Sequence, residues 1–572
     1  MLLRRHWLVS VLLAAGLVLR VLAKVAYNPA LIYVDTLKYL YGVYPGSDPL
    51  GYRLLLKVML PFGGLPVVAV LQCVLGLAVA VVLYIVLLRR GTARWLAAVA
   101  VAPVLLDAYQ LQMEQMIMPD VWFDALIVAG LAVLLWRPTV TVRFAVAAGL
   151  ILGSSAAVKS VGVVLVLPAV IFLLVSGGGW RRAVRHSAAL VAAFAVPILC
   201  YCSLSYVVAG HFWLSGSQST SGRLAAAADC ATLNLPADVR PLCPPPKVQA
   251  QGPDWLVHSS ASPLHDTPVP PGVSRAHLVA ELDSAIEHQQ PLRVLVSIAE
   301  DSVRLFAVTR TPSPWISPIS RWQFQTTYPT YPKWVTLGRG NVIIVGLQRK
   351  AFGMFRLHPL DPAYGGPAHV IRPIAAFLRS YQLDGGYTPG PLLLVFTLAG
   401  VAGSLLVLAR RARGPRSRQL GLACLLFIVT GVVILLVPDL YEFSWRYQLP
   451  ALITLPPAGV LGISAILAAR QERKQSRLAP AGEGPQPGEE ARPGEGPQPG
   501  NRRKPAEEAR PREGRQPGNG RKPAEEARPG EGPQPGNGRK PAEEARPGEG
   551  ARPGDGRKRA EAPTAHPAPD PG

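Results

Sequence analysis

Long apolar runs alternate with short polar segments over two parts of the chain, residues 7–209 and 391–469. A bilayer core about 30 Å thick requires about 20 apolar residues of helix, because no backbone group can stay unpaired in hydrocarbon. The pattern predicts about ten membrane-spanning helices. Their predicted bounds are 7–24, 65–88, 93–108, 119–136, 143–158, 161–176, 187–209, 391–410, 418–437 and 449–469.

The apolar stretch at residues 143–176 is interrupted by Gly153, Lys159 and Gly162. An ionisable residue inside a membrane segment is costly. We therefore interpret this stretch either as a re-entrant hairpin or as two tightly connected helices, with the turn at Lys159.

The basic residues predict the orientation of the helices. Cytoplasmic loops carry an excess of Lys and Arg, and every basic connection here falls on one side if the N-terminus is cytoplasmic. We expect a multi-pass protein of the cell membrane with both termini in the cytoplasm and residues 210–390 outside. The first apolar run is interpreted as a retained helix, because it contains Arg20 and lacks a clear signal-peptide cleavage site. The residues that decide the orientation are Arg4, Arg5, Arg89, Arg90, Arg94, Arg137, Arg143, Arg181, Arg182, Arg185, Arg410, Arg411, Arg413, Arg416, Arg418, Arg470, Arg473, Lys474 and Arg477.

The predicted fold class is an all-α polytopic membrane protein with a mixed extracytoplasmic domain and a disordered tail. Short β-like runs at Trp334–Leu337 and Val342–Leu347 predict the mixed character of that domain. The predicted parts are a transmembrane module of about seven helices (1–209), the extracytoplasmic domain (210–390), about three further membrane helices (391–470) and the tail (471–572).

The tail contains an 18-residue unit, ARPGEGPQPGNRRKPAEE, which begins at Ala491 and recurs from Ala509, Ala527 and Ala545. Repeats often form stacked solenoids, but this unit has no apolar face to stack. Its Pro, Gly and mixed charges leave nothing to bury, so the composition predicts disorder.

The net charge of +22 is of a size that nucleic-acid-binding proteins carry. Its distribution argues against that class, because the Lys and Arg residues occupy short loops between apolar runs and the tail. We therefore expect a lipid bilayer and no nucleic acid among the partners.

The six cysteines divide between the predicted spans and the predicted outer segment. Cys230 and Cys243 are the pair outside, where oxidation is permitted, so we predict a disulfide between them. The others, interpreted as unreactive residues within the spans, are Cys73, Cys200, Cys202 and Cys424.

Three acidic residues near the predicted outer face are candidates for chemistry. Asp35 follows the first span by about ten residues, and its alternative interpretation is a solvated loop carboxylate. Asp120 follows Pro119, so it could simply face the dipole at the start of a helix. Glu114 lies six residues before Asp120.

Two basic residues near the same face are the matching cations. Lys159 could extend to the membrane surface or hold an anion there. Arg446 could pair with Glu442, four residues earlier.

This order of parts resembles the GT-C glycosyltransferases that use lipid-carrier donors, specifically the family of protein O-mannosyltransferases and aminoarabinose transferases, in an actinobacterial-like form. Those enzymes have an acid in the first outer loop, here Asp35, and a second at the start of the fourth helix, here Asp120 or less well Glu114. Their membrane hairpin contains Gly, several apolar residues, Thr-Lys-Gly and then an apolar run that ends at Pro. Residues Gly153–Gly162, followed by an apolar run that ends at Pro168, are similar to this pattern. The resemblance covers residues 1–210, and 391–469 more loosely.

The sequence departs from the family pattern at three points. Val158 replaces the Thr of the hairpin, two residues separate Lys159 from Gly162, and the first outer loop lacks the usual Asp-Glu pair. The Pro-x-Gly-Tyr-Pro element of the relatives is reduced to Asp48-Pro-Leu-Gly51-Tyr52-Arg53.

The resemblance implies transfer of a sugar from a polyprenyl-phosphate donor to a cell-envelope glycan or protein, with inversion. Asp35 would be the base, and Asp120 would position the substrate or a metal. Lys159 would contact the donor phosphate. The alternates for that contact are Arg53, Lys57 and Arg446. No strong His or Cys metal spacing occurs, so no cofactor is predicted with certainty and a divalent metal stays open.

Two other classes of function fit a chain with about ten membrane helices. A transporter would usually show two similar halves and helix breaks at mid-membrane, and no inverted repeat is visible here. An inactive GT-C-like scaffold that binds lipid-linked glycans would keep the same helices.

Overall fold

A computed structural model of the chain describes residues 2–41, 49, 51–176, 178–215, 220–327, 334–337, 341–344, 368–409 and 414–478. The N-terminal helices are α1 (Leu2–Arg5), α2 (Trp7–Ala26), α3 (Val34–Tyr41), α4 (Gly51–Met59), α5 (Gly64–Arg89), α6 (Arg94–Leu106), α7 (Ala108–Gln115), α8 (Asp120–Leu135), α9 (Val142–Val158), α10 (Val166–Ser176) and α11 (Trp180–Ala209).

The remaining elements are also mainly helical. The helices are α12 (Ser221–Ala227), α13 (Pro246–Gln249), α14 (Pro253–His258), α15 (Pro263–Asp266), α16 (Arg275–Gln289), α17 (Pro291–Val303), α18 (Arg372–Leu383), α19 (Gly390–Leu408), α20 (Pro415–Asp439) and α21 (Ala451–Leu478). Short 3₁₀ helices lie at Leu60–Phe62, Ser160–Leu165, Arg240–Leu242, Arg304–Phe306 and Ile319–Trp322.

The described strands form two short antiparallel pairs. β1 (Tyr27–Asn28) pairs with β4 (His369–Val370) and so joins the end of α2 to the start of α18. β2 (Trp334–Leu337) pairs with β3 (Asn341–Ile344), with Trp334 opposite Ile344. The first predicted β-run is a strand; of the second, residues 342–344 are a strand and residues 345–347 lie outside the described part.

The predicted fold class is confirmed, since the described chain is mainly helical and six helices are long and apolar enough to cross a bilayer. Counting α6 and α7 as one bent span raises the number to seven. All ten predicted apolar segments fall on helices, but α8, α9 and α10 are shorter than a full span. The six long helices are α2, α5, α11, α19, α20 and α21.

Between the predicted spans 93–108 and 119–136, the chain forms helix α7 (Ala108–Gln115). The axis bends by 51° between α6 and α7. Asp107 has an extended backbone there, and its carboxylate accepts a hydrogen bond from the amide of Tyr109. Asp107 thus ends one helix and caps the next.

Helix α21 continues past the predicted boundary of the tail at residue 471 and ends at Leu478. Gln, Glu, Arg and Lys at 471–474 are good helix formers, and Glu472 accepts a hydrogen bond from the amide of Ser417 at 3.3 Å. Residues 479–572, including the predicted disordered repeats, lie outside the described part of the chain.

The predicted disulfide between Cys230 and Cys243 is confirmed, with their Cα atoms 5.8 Å apart. It adjoins a second apolar core within residues 210–390, formed by residues such as Leu242, Leu256 and Leu282. The larger core fills the space between the membrane helices. The unpaired cysteines are Cys73, Cys202 and Cys424, which are buried, and Cys200, which is exposed on α11.

Candidate functional site

Arg446 joins two carboxylates that are far apart in the sequence. Its Nε lies 3.1 and 3.2 Å from the carboxylate oxygens of Asp120, and its Nη2 donates to Asp120 Oδ2 at 3.0 Å. Its Nη1 donates to Asp35 Oδ2 at 2.9 Å. The side chains of Arg446 and Asp120 are 6% and 5% exposed, and that of Asp35 is 22% exposed. Asp35 is therefore the more accessible of the two carboxylates.

Lys159 completes a cluster of two acids and two cations. Its Nζ lies 2.9 Å from Asp120 Oδ1 and above the rings of Phe123 and Tyr447, 5.6 and 4.9 Å from their centroids. With 16% of its side chain exposed, Lys159 lies at the edge of the cluster. Asp120 therefore holds both cations at one position, and the four formal charges sum to zero.

The break after α9 places Lys159. Its backbone is extended, and the following residues form a 3₁₀ helix that folds back on α9. Gly162 allows this close approach, since a Cβ there would lie 2.6 Å from the amide nitrogen of Ala156. The predicted turn at Lys159 is where the structure breaks the helix.

A short backbone ladder brings Asp35 and Asp120 together. The amide of Leu31 donates to the carbonyl of Gln115, and the amide of Ile117 donates back to Leu31, both at 3.0 Å. The hydroxyl of Thr36 donates to the carbonyl of Ile117 at 3.0 Å. These bonds fix the start of α3 against the segment before α8, so the two acids are adjacent although 85 positions separate them in the sequence.

Asp120 lies in the first turn of α8, where its alternative interpretation placed it, but this position does not account for its contacts. It is the first residue of α8, Pro119 is at the cap position, and no side-chain capping bond is formed. The carboxylate is instead bound to Arg446 and Lys159. The alternative pairing of Arg446 with Glu442 is also not what the structure shows, since the guanidinium binds Asp35 and Asp120.

Aromatic rings enclose Arg446. The guanidinium lies over Trp322 and Tyr447, 5.4 and 5.6 Å from the ring centroids. Tyr33 packs on Trp322 with 5.0 Å between centroids. Burial raises the pKa of Tyr33 to about 12, so its phenol stays protonated well above neutral pH.

Arg53 and Lys57, the alternative candidates for the phosphate contact, belong to α4, which lies beside this cluster. Gly51 packs so tightly on the carbonyl of Ala157 that a Cβ would collide with it, which places α4 against the end of α9. Tyr52 donates to Gln72 at 2.7 Å. Arg53 is half-buried, and its Nε has no partner among the described residues. Lys57 is exposed.

Glu114, the third acidic candidate, lies outside the cluster of two acids and two cations. Its carboxylate is fully buried and binds Arg20 of α2 at 2.6 and 2.7 Å. Arg20 also donates to the carbonyls of Val104 and Leu105 at the end of α6. Glu114 is thus part of a structural ion pair that supports the bend between α6 and α7.

Sequence reasoning missed several residues beside the site. Trp322 and Asp254 come from residues 210–390, where no sequence pattern identified them. Burial, followed by the charge of Asp254, raises the pKa of Glu442 to about 8, and Arg321 lies 3.6 Å from Asp254. Asp124 follows Asp120 by one helical turn inside a predicted span, a signal that could have identified it.

No group of three or more His, Cys, Asp or Glu residues is arranged to hold a metal in the described chain. Between Asp35 and Asp120 the cation is the guanidinium of Arg446 itself. A metal at these acids would have to displace one of its contacts.

No protein-family model and no curated protein sequence matches this chain. Similar solved structures include a protein O-mannosyltransferase complex of S. cerevisiae bound to the sugar donor (18% identity, TM-score 0.29, covering 38% of this chain and 36% of that one). A second similar structure is the archaeal oligosaccharyltransferase AglB of Archaeoglobus fulgidus in complex with an inhibitory peptide and a dolichol-phosphate. Its identity to this chain is 12% and its TM-score is 0.38, and the alignment covers 85% of this chain and 53% of that one.

A third similar structure is ArnT from Cupriavidus metallidurans bound to undecaprenyl phosphate, with 14% identity, a TM-score of 0.29 and coverage of 80% of this chain and 77% of that one. The first two alignments span between about a third and about half of the other chain. All three TM-scores are below 0.5, so the geometry of the site carries the functional proposal. The actinobacterial-like form stays a prediction.

Proposed function

We propose that this chain is a membrane glycosyltransferase that transfers a sugar from a polyprenyl-phosphate donor to an acceptor hydroxyl on the extracytoplasmic side. The observation that carries the proposal is the bridge from Arg446 to Asp35 and Asp120, with Lys159 on Asp120. Four chain segments contribute one charged residue each: the start of α3, the start of α8, the break after α9 and the connection between α20 and α21. Burying four charges is costly, and active sites are where such costs are commonly met.

In the proposed reaction, the acceptor oxygen attacks the anomeric carbon of the donor sugar. The bond from that carbon to the phosphate oxygen breaks, and the polyprenyl phosphate leaves with the electron pair. Asp35 takes the hydroxyl proton, because it is the more exposed carboxylate and can meet a substrate. A single displacement without a covalent intermediate inverts the anomeric carbon.

The leaving phosphate gains negative charge, and cations at that position stabilise the transition state. The proposed contacts are Lys159, at the edge of the cluster, and Arg53, whose Nε has no partner among the described residues. Arg446 has a positioning role, since its nitrogens are divided between the two carboxylates. Asp120 holds Arg446 and Lys159 in place.

The test is consumption of a polyprenyl-phosphate sugar by the purified full chain in lipid nanodiscs. Asp35→Asn keeps the shape of the side chain and removes the proton acceptor, so we expect turnover to fall by about a hundredfold to ten-thousandfold. Asp266→Asn removes an exposed carboxylate from the outer segment and is the matched control. Normal turnover by Asp35→Asn would contradict the assignment.

Lys159→Ala separates binding from chemistry. It should lower turnover and also raise the KM for the donor, whereas Asp35→Asn should act mainly on the chemical step. A wild-type chain that binds the donor without consuming it would favour the inactive scaffold. Donor that crosses the bilayer unchanged would favour the transporter.

A further inference from the structure

Helix α17 exposes a row of large apolar side chains. Leu292, Leu295, Val296 and Val303 are between 54% and 74% exposed. With the exposed Ala299 they follow the spacing of one helical face. A helix surrounded by water normally turns such a face towards the core of the protein. A continuous apolar face that is exposed instead indicates an interaction surface.

The opposite face of α17 packs on the rest of the chain through polar side chains. Arg223 of α12 donates to Ser297 at 3.2 Å and also to Asp301. Ser302 donates to Asp439 at 2.6 Å. The side of α17 that faces the protein therefore makes hydrogen bonds, whereas the side that faces away is apolar. This is the reverse of the arrangement that suits a helix in water.

Two contacts hold the end of α17 beside the ends of two membrane helices. Asp439, the partner of Ser302, is the last residue of α20. The 3₁₀ helix Arg304–Phe306, which continues α17, packs on Gly390, the first residue of α19. Both α19 and α20 are long and apolar enough to cross a bilayer. Since such helices end near the membrane surface, α17 begins its course at that surface.

The surface concerned is the one at which the candidate site lies, because Arg446 belongs to the connection that follows α20. Near this surface α20 exposes Leu436 and Leu440, and α19 exposes Leu392 and Val395. These side chains suit contact with lipid, as those of a membrane helix do. The apolar face of α17 therefore adjoins the lipid-facing surface of two spans.

The charges on α17 do not select a charged partner. Its exposed charged residues are Arg293 and Glu300, which have opposite signs. Burial of apolar area is then the main contribution to binding. The partner that fits is an extended apolar surface at the level where the spans end, which is the interface of the bilayer.

We propose that α17 binds the lipid bilayer itself, lying along the membrane surface with the Leu295 face inserted among headgroups and acyl chains. Helices of this kind bury their apolar face about 5–10 Å into that region. Asp439, which binds Ser302 of α17, also accepts a hydrogen bond from Gln448 at 3.0 Å. Insertion of α17 thereby supports the connection that carries Arg446.

The experiment places a polarity-sensitive fluorophore, nitrobenzoxadiazole, on Leu295→Cys in the full chain. The chain also carries Cys200→Ala, which removes the exposed native thiol, and is reconstituted in phosphatidylcholine nanodiscs. We expect a blue-shifted emission that is largely lost when the acyl chains of the lipid are brominated, because bromine quenches fluorophores that it contacts.

The matched control lies on the same helix. A label on Glu300→Cys, at an exposed position outside the apolar row, should emit as in water and keep its fluorescence in brominated lipid. A label on Val395→Cys, at an exposed apolar position of α19, should be quenched and is the positive control. Val296→Asp should reduce the quenching at Leu295→Cys, because a carboxylate opposes insertion of this face.

Unquenched fluorescence at Leu295→Cys, with quenching at Val395→Cys, would overturn the proposal. Equal quenching at Leu295→Cys and Glu300→Cys would also overturn it. A blue-shifted label that bromine does not quench would show that protein covers the face. Dimers in native mass spectrometry that Leu295→Asp dissociates would assign the face to a second copy of the chain. These readouts do not depend on glycosyl transfer, so they can fail independently of the proposed function.

Discussion

Arg446 holds the candidate site together, because its guanidinium is shared between Asp35 and Asp120. The planar fork of an arginine can bind two carboxylates in fixed directions, whereas a lysine offers one point charge. The site therefore depends on the shape of this residue as well as on its charge.

Replacing Arg446 by Gln should leave the buried Asp120 and the partly buried Asp35 without their shared cation. We expect a loss of about 3–5 kcal/mol in unfolding free energy, as for other broken buried pairs, together with loss of donor turnover. Arg446→Lys should recover part of the stability and little of the turnover. Thermal unfolding and donor consumption measure the two effects.

The matched control is Arg293→Gln, whose 3.6 Å pair with Asp229 is largely exposed. Such pairs contribute about 0–1 kcal/mol. If Arg293→Gln and Arg446→Gln destabilised the chain equally, Arg446 would not have the role assigned to it.

Glu442 makes the stability of the chain depend on pH. Burial and the nearby Asp254 raise its pKa to about 8 from an ordinary value of 4.5. The folded chain therefore keeps a proton that the unfolded chain releases, so this contribution is fully present below about pH 4.5 and is lost as the pH rises towards 8. Glu442→Gln stays neutral and should lose nothing over this range.

The measurement is the unfolding midpoint of wild type and Glu442→Gln between about pH 5 and pH 9. Relative to the variant, the wild type should become less stable with rising pH and level off above about pH 8. Glu300→Gln, which changes an exposed side chain, should show no such trend. A difference between wild type and Glu442→Gln that stays constant with pH would contradict the raised pKa.

At the scale of elements, the bend between α6 and α7 is made possible by α2. Breaking a helix leaves carbonyl groups without partners, and Arg20 donates to two of them at the end of α6. The same guanidinium binds Glu114 of α7, against Gly76 of α5, where a Cβ would collide with the carboxylate. Four helices therefore meet at one buried ion pair.

Removing one partner of the pair Arg20–Glu114 should destabilise the chain more than removing both partners. We expect Arg20→Leu or Glu114→Leu alone to cost about 3–5 kcal/mol, because each leaves a buried charge unpaired. The double variant should be more stable than the sum of the two losses predicts. Surviving protein should keep the donor KM of wild type, because Glu114 lies outside the candidate site.

Thermal unfolding of the two single variants and the double variant gives the coupling energy directly. Additive losses would show that Arg20 and Glu114 act separately. A changed donor KM in Glu114→Leu would show that Glu114 belongs to the active site.

At the scale of the whole molecule, the distribution of charge predicts the orientation in the membrane. With the N-terminus in the cytoplasm, residues 210–390 and the candidate site would lie outside, and α21 would end inside. A glycosyltransferase with a polyprenyl-phosphate donor would then act at the outer surface.

An impermeant thiol reagent tests this orientation on intact cells. Glu287→Cys, at an exposed position of α16, should be labelled, whereas Arg473→Cys, exposed near the end of α21, should be labelled only after permeabilisation. The unmodified chain gives the background from its own free cysteines. Labelling of Arg473→Cys from outside would reverse the orientation.

The sequence by itself determined the membrane helices, because the cost of unpaired backbone in hydrocarbon imposes a length and a composition that can be read locally. It also predicted the disulfide of Cys230 and Cys243 and the break at Lys159. Asp35, Asp120, Lys159 and Arg446 were each identified as candidates, but each also had an ordinary local interpretation.

Only the tertiary structure decided which of these residues meet. Arg446 binds Asp35 across 411 positions of the sequence and Asp120 across 326, and a pairing over such distances leaves no local periodicity. For the same reason the sequence could not separate Glu114 from the site, since its partner Arg20 lies 94 positions away. The packing of helices decides which ion pairs form, whereas the surrounding lipid decides which segments of the sequence can span the membrane.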